Sequence, residues 1–312
     1  PSSFGCIAEI SNLHEIGSNL HLMAIGINRF QLLEVLEPAL DAQDFGDTTI
    51  ARSSPRACNS PIRMVIGGGG DPSFDEIDFI TFSTTGNATD FGDPTVDRAG
   101  GGGCSDGTYA IMGGGYDSSA WPTNGTNTID YYTIDTTGNA TDFGDLLSAV
   151  QVLCGVNDAT RGCFLGGNND SDTRLNTIQY ITMATTGDAT DFGDLTNPTA
   201  YAGGGVDNNS RGIISGGTED GVGMTNKMEY ITIATTGNAS DFGDLTEARF
   251  GPGGCGNQTR GIWGGGYAAG NKDIIEYITF SILGNTTDFG NLTVASDFVN
   301  STSDSHGGLG GY

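Results

Sequence analysis

Positive charge is scarce in this chain: 12 of its 312 residues are Lys or Arg, against 38 Asp or Glu, for a formal charge of -26. Nucleic acid and anionic lipid need clustered cations to meet their phosphates, so neither is an expected partner. Histidine is scarcer still. His14, His21 and His306 are the only three, and they lie outside the regular part of the chain, so no Ser–His–Asp or Cys–His constellation forms there. The six cysteines contain no C-x-x-C and no spacing that suits zinc. No apolar run approaches the roughly 18 residues that cross a bilayer, so membrane insertion is not expected.

Glycine is what the chain has in excess, with 52 residues, several times the usual share of roughly 7%. It follows no three-residue period, which excludes collagen. It belongs instead to a long repeat. The tetrapeptide D-F-G-D begins at Asp44, Asp90, Asp142, Asp191 and Asp241 and returns as D-F-G-N at Asp288. T-T-G-N-A-T or a close variant precedes it from Thr84, Thr136, Thr185 and Thr235, with the weaker L-G-N-T-T from Leu283. Apolar runs ending in paired glycines form a third marker, as in Ile262-Trp263-Gly264-Gly265-Gly266.

Each unit of about 50 residues reads as four short strands. Segments such as Ile129 to Ile134 and Ile275 to Phe280 alternate with period 2 and are rich in Ile, Tyr and Thr. The T-T-G-N-A stretch supplies Gly and Asn for a hairpin turn. Nothing in the repeats has a 3.6-residue apolar period. The first strand of each unit is small, as at Gly100 to Gly103 and Gly203 to Gly205, which suits strands crowded around one axis. The expected fold is all-β: a six-bladed β-propeller of four-stranded antiparallel blades.

The order of Arg, small strand, hydrophobic strand ending in paired glycines, loop, apolar-Tyr strand and a late aromatic resembles the kelch-type β-propeller. The resemblance covers roughly Arg29 to Tyr312, with the D-F of D-F-G-D standing where kelch units usually carry Trp. The flanking Asp pair and the uniform T-T-G-N-A-T turn depart from that pattern. Their wording resembles kelch-like repeat proteins of marine tailed phages. This implies a virion structural, fibre or decoration role, with assembly proteins or a host-surface glycan as partners.

The chain starts and stops within a unit. Arg29 to Leu36 aligns with a third strand and Asp44 to Ile50 with a fourth, while Val294 to Asp304 and His306 to Tyr312 align with first and second strands. Pairing of the two ends would close the ring as a sixth blade and remove free sheet edges. Seven blades would require a further strand pair from Cys6 to Ile27. Residues 1–28 then form an arm that docks the propeller, residues 29–312, on an assembly.

Phe45, Phe91, Phe143, Phe192, Phe242 and Phe289 are expected as buried repeat core. Arg63, Arg161, Arg211 and Arg260 open second strands, while Arg52, Arg98 and Arg249 follow fourth strands. These arginines are expected to bond the D-F-G-D carboxylates or strand-end carbonyls. Cys58, Cys104 and Cys255 occupy a position taken elsewhere by Val156 and Val206, which marks a small apolar core site. Cys154 and Cys163 could face each other across a hairpin.

The loops after the paired glycines vary most, and Tyr116, Trp121, Asn168, Asp170 and Tyr267 are the candidate recognition residues. Asn169 to Asp172 is the best loop for calcium, but it lacks the D-x-D-x-D-G pattern, so no cofactor is expected. The reading is a non-enzymatic protein of a virion. The alternatives are an extracellular lectin-like propeller and a propeller glycan hydrolase or lyase.

Overall fold

The computed structural model describes residues 20–26, 29–36, 39–52, 54–70, 75–117 and 124–298, with residues up to 44 as backbone. Among them there are strands and turns and no helix; none is therefore long and apolar enough to cross a membrane. Sheet I has three strands, Leu20–Gly26, Arg29–Leu36 and Ala39–Gly46. Five four-stranded antiparallel sheets follow in order. Sheet II comprises Arg56–Asn59, Arg63–Gly67, Ile77–Thr81 and Thr89–Gly92. Sheet III comprises Gly102–Ser105, Tyr109–Gly113, Thr128–Thr133 and Thr141–Asp145. Sheet IV comprises Cys154–Asn157, Arg161–Leu165, Thr177–Thr182 and Thr190–Asp194. Sheet V comprises Val206–Asp207, Arg211–Ser215, Lys227–Thr232 and Ser240–Asp244. Sheet VI comprises Gly253–Gly256, Arg260–Gly264, Lys272–Thr279 and Thr287–Ser296. Each is a simple meander, as the sequence markers suggest.

The cores lie between successive sheets. Ile111, Ile129 and Phe143 of sheet III pack with Phe164 and Ile181 of sheet IV. Val206, Ile213 and Phe242 of sheet V pack with Trp263 and Ile278 of sheet VI. Burial of each phenylalanine is worth roughly 1.5–3 kcal/mol, and Phe45, Phe91, Phe143, Phe192 and Phe242 are all buried. Phe289 is half-buried, because the described residues beside it belong to sheet VI itself. First strands touch first strands from sheet II through to sheet VI. A Cβ on Gly155, Gly205 or Gly254 would run into the carbonyl of Gly103, Gly155 or Gly204 on the adjacent first strand. This is the crowding that the glycine-rich strands were expected to relieve.

The D-F-G motif makes a bulge. Pairing of third and fourth strands slips by one residue at Ile129/Asp130 and Ile178/Gln179, and likewise at Phe30/Gln31 in sheet I. The glycine there takes φ between +144° and +154°, a conformation that costs any other residue strain. The T-T-G-N-A turn of the following unit then seats on this corner. The Gly138 N–H donates to the Phe91 carbonyl (2.7 Å) and the Ala140 N–H to the Asp93 carbonyl (2.8 Å). The Asn139 Oδ1 accepts from the Asp93 N–H (3.3 Å). The Gly-to-Phe bond recurs from Gly86 to Phe45, Gly187 to Phe143, Gly237 to Phe192 and Gly284 to Phe242. The turn therefore clasps one sheet to the next as well as closing its own hairpin.

Two expectations change at the ends. The Leu20–Gly26 backbone pairs with Arg29–Leu36, so sheet I begins inside the segment read as an arm. The run is almost wholly apolar, with His21 its one polar side chain, which suits a short strand. Val294 to Ser296, read as the start of a first strand, instead prolong the last fourth strand, with Ser296 opposite Lys272. His306 to Tyr312 and the first 19 residues, Cys6 and His14 among them, lie outside the described residues.

Candidate functional site

Ten residues after the first Asp of each D-F-G motif stands a residue with left-handed backbone. These are Ser54 (φ 51°), Gly100 (67°), Val152 (51°), Tyr201 (54°), Gly251 (64°) and Phe298 (48°). The conformation follows from the chain reversing just before each first strand. It is held by bonds from one unit to the next: Gly100 N–H to the Ser54 carbonyl (3.2 Å), Tyr201 N–H to Val152 (3.2 Å) and Gly251 N–H to Tyr201 (3.1 Å). All six residues line one cavity of ≈ 80 Å³, whose floor includes Arg56, Gly103, Gly155 and Gly204. Glycine takes this conformation at no steric cost, yet four of the six are not glycine. Each of those four carries roughly 1 kcal/mol or more of strain.

Two of the lining residues, Tyr201 and Phe298, join an aromatic cluster. Tyr201 meets Phe250 (centroids 6.0 Å apart) and Phe298 (6.5 Å), and Phe250 meets Phe298 (5.6 Å). Tyr267 stacks on Phe250 at 5.2 Å and 30°. All four are half-buried. Burial, reinforced by Asp172 and Tyr116, pushes the Tyr201 phenol up to about 12. The Arg56 guanidinium reaches the Gly101 carbonyl from the cavity wall. At the other end of the first strands the side chains form a buried polar belt. Ser105 Oγ donates to the Asn59 carbonyl (2.8 Å), Asn157 Nδ2 donates to the Ser105 carbonyl (2.8 Å), and Asp207 Oδ2 accepts from the Asn157 N–H (3.1 Å).

Buried charge occupies a second column. Arg52 pairs with Asp78 (2.8 Å), and Arg98–Asp130 and Arg249–Glu276 repeat the arrangement. Arg98 Nη1 also donates to the Gly114 (3.1 Å) and Thr128 (2.7 Å) carbonyls. The strand-end carbonyls were expected. The carboxylates, however, come from third strands and not from D-F-G-D, whose first Asp is exposed on the outermost strand. Sheet IV replaces the pair by Val150 and Gln179. Sheet V keeps the acid, Glu229, but has Thr199 in the arginine's place. Burial therefore raises the Glu229 pKa, against bonds from Thr196 and the charge of Lys227. Glu219, also buried, pairs with Lys227 (3.3 Å). Sequence reading missed this departure, although the column Arg52, Arg98, Val150, Thr199, Arg249 displays it.

Arg63, Arg161, Arg211 and Arg260 stack on Phe79, Tyr180, Tyr230 and Tyr277 at 4.5 to 4.9 Å. Arg161 and Arg211 also donate to the Ile233 (3.2 Å) and Phe280 (2.6 Å) carbonyls of the next sheet. Among the candidate recognition residues, Tyr116 and Tyr267 are half-buried, Tyr267 against Phe250, and Trp121 lies outside the described residues. Asn168 is buried, with Nδ2 on Asp172 (2.7 Å); it holds its loop together and faces no solvent. Exposed Asp170 accepts from the Gly125 N–H (2.8 Å) and Gln151 Nε2 (3.0 Å), which joins two loops.

The five described cysteines are buried free thiols. Cys154 lies opposite Leu165 and Cys163 opposite Val156, so the two do not face each other. Burial pushes the Cys58, Cys154 and Cys163 thiols up to about 12, which removes thiolate reactivity. Among the described residues no three His, Cys, Asp or Glu side chains gather as a metal site. No family model matches the chain, and no curated protein matches it.

Proposed function

We propose that the chain is a six-bladed β-propeller acting without catalysis as a recognition and assembly element, in the virion setting that the kelch-like resemblance implies. One observation carries this reading: six left-handed residues, at one offset from six D-F-G motifs, line a single cavity. Five complete sheets account for five blades. Sheet I, with its three described strands, accounts for the sixth. The arginines of the repeated columns are engaged in ion pairs, ring contacts and carbonyl bonds, and the residues that differ between units collect in the loops after the second strands. A fixed scaffold with a varied rim suits binding rather than turnover.

Two experiments test this. Antibody labelling or reconstruction of native particles should find the chain at fixed symmetric positions; its absence from the particle would favour a secreted lectin-like protein. Incubation with envelope polysaccharides should release no reducing ends, and steady release would overturn the non-enzymatic reading.

A further inference from the structure

The residues around the cavity mouth carry more than the scaffold requires. Gly100 and Gly251 show that glycine satisfies the left-handed position, yet Tyr201 and Phe298 place aromatic rings there at a cost in backbone strain. With Phe250 and Tyr267 these rings form a half-buried cluster, in contrast to the buried Phe45, Phe91, Phe143, Phe192 and Phe242. The neighbouring cavity supplies polar groups in a confined space: the Ser54 hydroxyl, the Arg56 guanidinium and the backbone of glycine-rich first strands.

We propose that this mouth binds one neutral hexopyranose unit of a polysaccharide, a proposal that rests on the recognition reading above. The apolar C–H face of a pyranose lies against aromatic faces, whose quadrupole attracts the slightly positive C–H edges. Its hydroxyls meet a serine hydroxyl, main-chain groups and the edge of the Arg56 guanidinium, whose Nε and Nη1 already donate to the Gly101 and Pro55 carbonyls. This pairing of aromatic platform and few polar groups is the usual make-up of a small-molecule site. Charge narrows the class. A net charge of -26 repels sulfated or carboxylated sugars, and Arg56 in the cavity wall opposes a cationic ligand such as a choline headgroup. A cavity of ≈ 80 Å³ admits part of one ring, with the aromatic rim carrying the rest.

Trp263 provides a reporter, since its indole N–H donates to the carbonyl of Gly204 in the cavity wall (3.1 Å). The full chain with Trp121→Phe is titrated with neutral methyl hexopyranosides and neutral oligosaccharides, with sulfated oligosaccharides, and with choline. Trp263 fluorescence and calorimetry serve as readouts. At least one neutral sugar should saturate, and the charged ligands should not. Tyr201→Gly and Phe298→Gly should each weaken binding at least tenfold. Both should leave the melting temperature within a few degrees, because glycine relieves the left-handed strain as the ring contacts are lost. The proposal is overturned if no neutral sugar saturates, if choline or a sulfated sugar binds instead, or if the double glycine variant still binds. It is also overturned if the single variants unfold, which would make the rings structural. Loss of sugar binding with the chain still at fixed positions in a particle would leave the assembly reading standing.

Discussion

Replacing Gly144 by alanine attacks the clasp between sheets III and IV at its tightest point. Gly144 has φ +147°, and a Cβ there would stand 2.5 Å from both the carbonyl carbon and the oxygen of Gly187. Gly138, in the turn of the same unit, has φ +154° and nothing within 4 Å of its Cβ position. Alanine at either site bears the backbone penalty, about 1–3 kcal/mol. Only Gly144→Ala adds a clash of backbone against backbone, about 1–3 kcal/mol by comparison with overpacked cores. The clash also pries open the Gly187 N–H bond to Phe143 (2.7 Å) and the Ala189 N–H bond to Asp145 (2.8 Å), at about 1 kcal/mol each. Gly144→Ala should therefore exceed Gly138→Ala by roughly 3–5 kcal/mol in urea denaturation followed by circular dichroism. Hydrogen exchange at Gly187 and Ala189 should accelerate in Gly144→Ala alone. Equal destabilisation by the two variants would refute the clasp as the element that joins sheets.

Two further predictions concern buried charge. Arg249→Val strands Glu276 without its partner and should cost about 3–5 kcal/mol. Adding Glu276→Gln copies the Val150–Gln179 solution of sheet IV and should recover most of that loss, measured by chemical denaturation. Glu229→Gln keeps an acceptor for the Thr196 N–H (3.2 Å) and removes a carboxylate whose pKa is raised in the fold. A raised folded pKa contributes stability below the unfolded value, and that contribution is lost as pH rises through the folded value. Glu229→Gln should thus gain on the native protein by on the order of 1 kcal/mol at neutral pH. The gain should vanish below about pH 4, and a gain independent of pH would contradict the assignment.

The repeat made much of the fold legible in the sequence. Phe143 and its counterparts recur because each points inward from an outermost strand, and Ile129 to Ile134 alternates because its two faces enter different cores, Ile129 and Tyr131 toward sheet IV, Tyr132 and Ile134 toward sheet II. The clasp was not legible, since Gly138 and Phe91 meet only when neighbouring sheets stack. The left-handed ring escaped notice for another reason. Val152, Tyr201 and Phe298 carry no turn signature, and only their constant offset from D-F-G betrays them. The Arg52–Asp78 column was readable in principle, because Val150 and Gln179 change together within the one chain. Asn168 resembles a ligand-binding loop residue in composition and is buried through a bond to Asp172 that no spacing rule announces.

The arrangement of six units about one axis can be tested by distance alone. Thr85, Thr186 and Leu283 occupy the same exposed position in the turns of sheets II, IV and VI. Spin labels at Thr85→Cys, Thr186→Cys and Leu283→Cys, in a Cys6→Ser background, avoid the buried native thiols. In a closed ring of six, positions 85 and 283 are two steps apart through the sixth unit, so the 85–283 and 85–186 distances should agree within a few ångströms. A linear stack would place 85–283 at roughly twice 85–186, and that result would contradict the propeller.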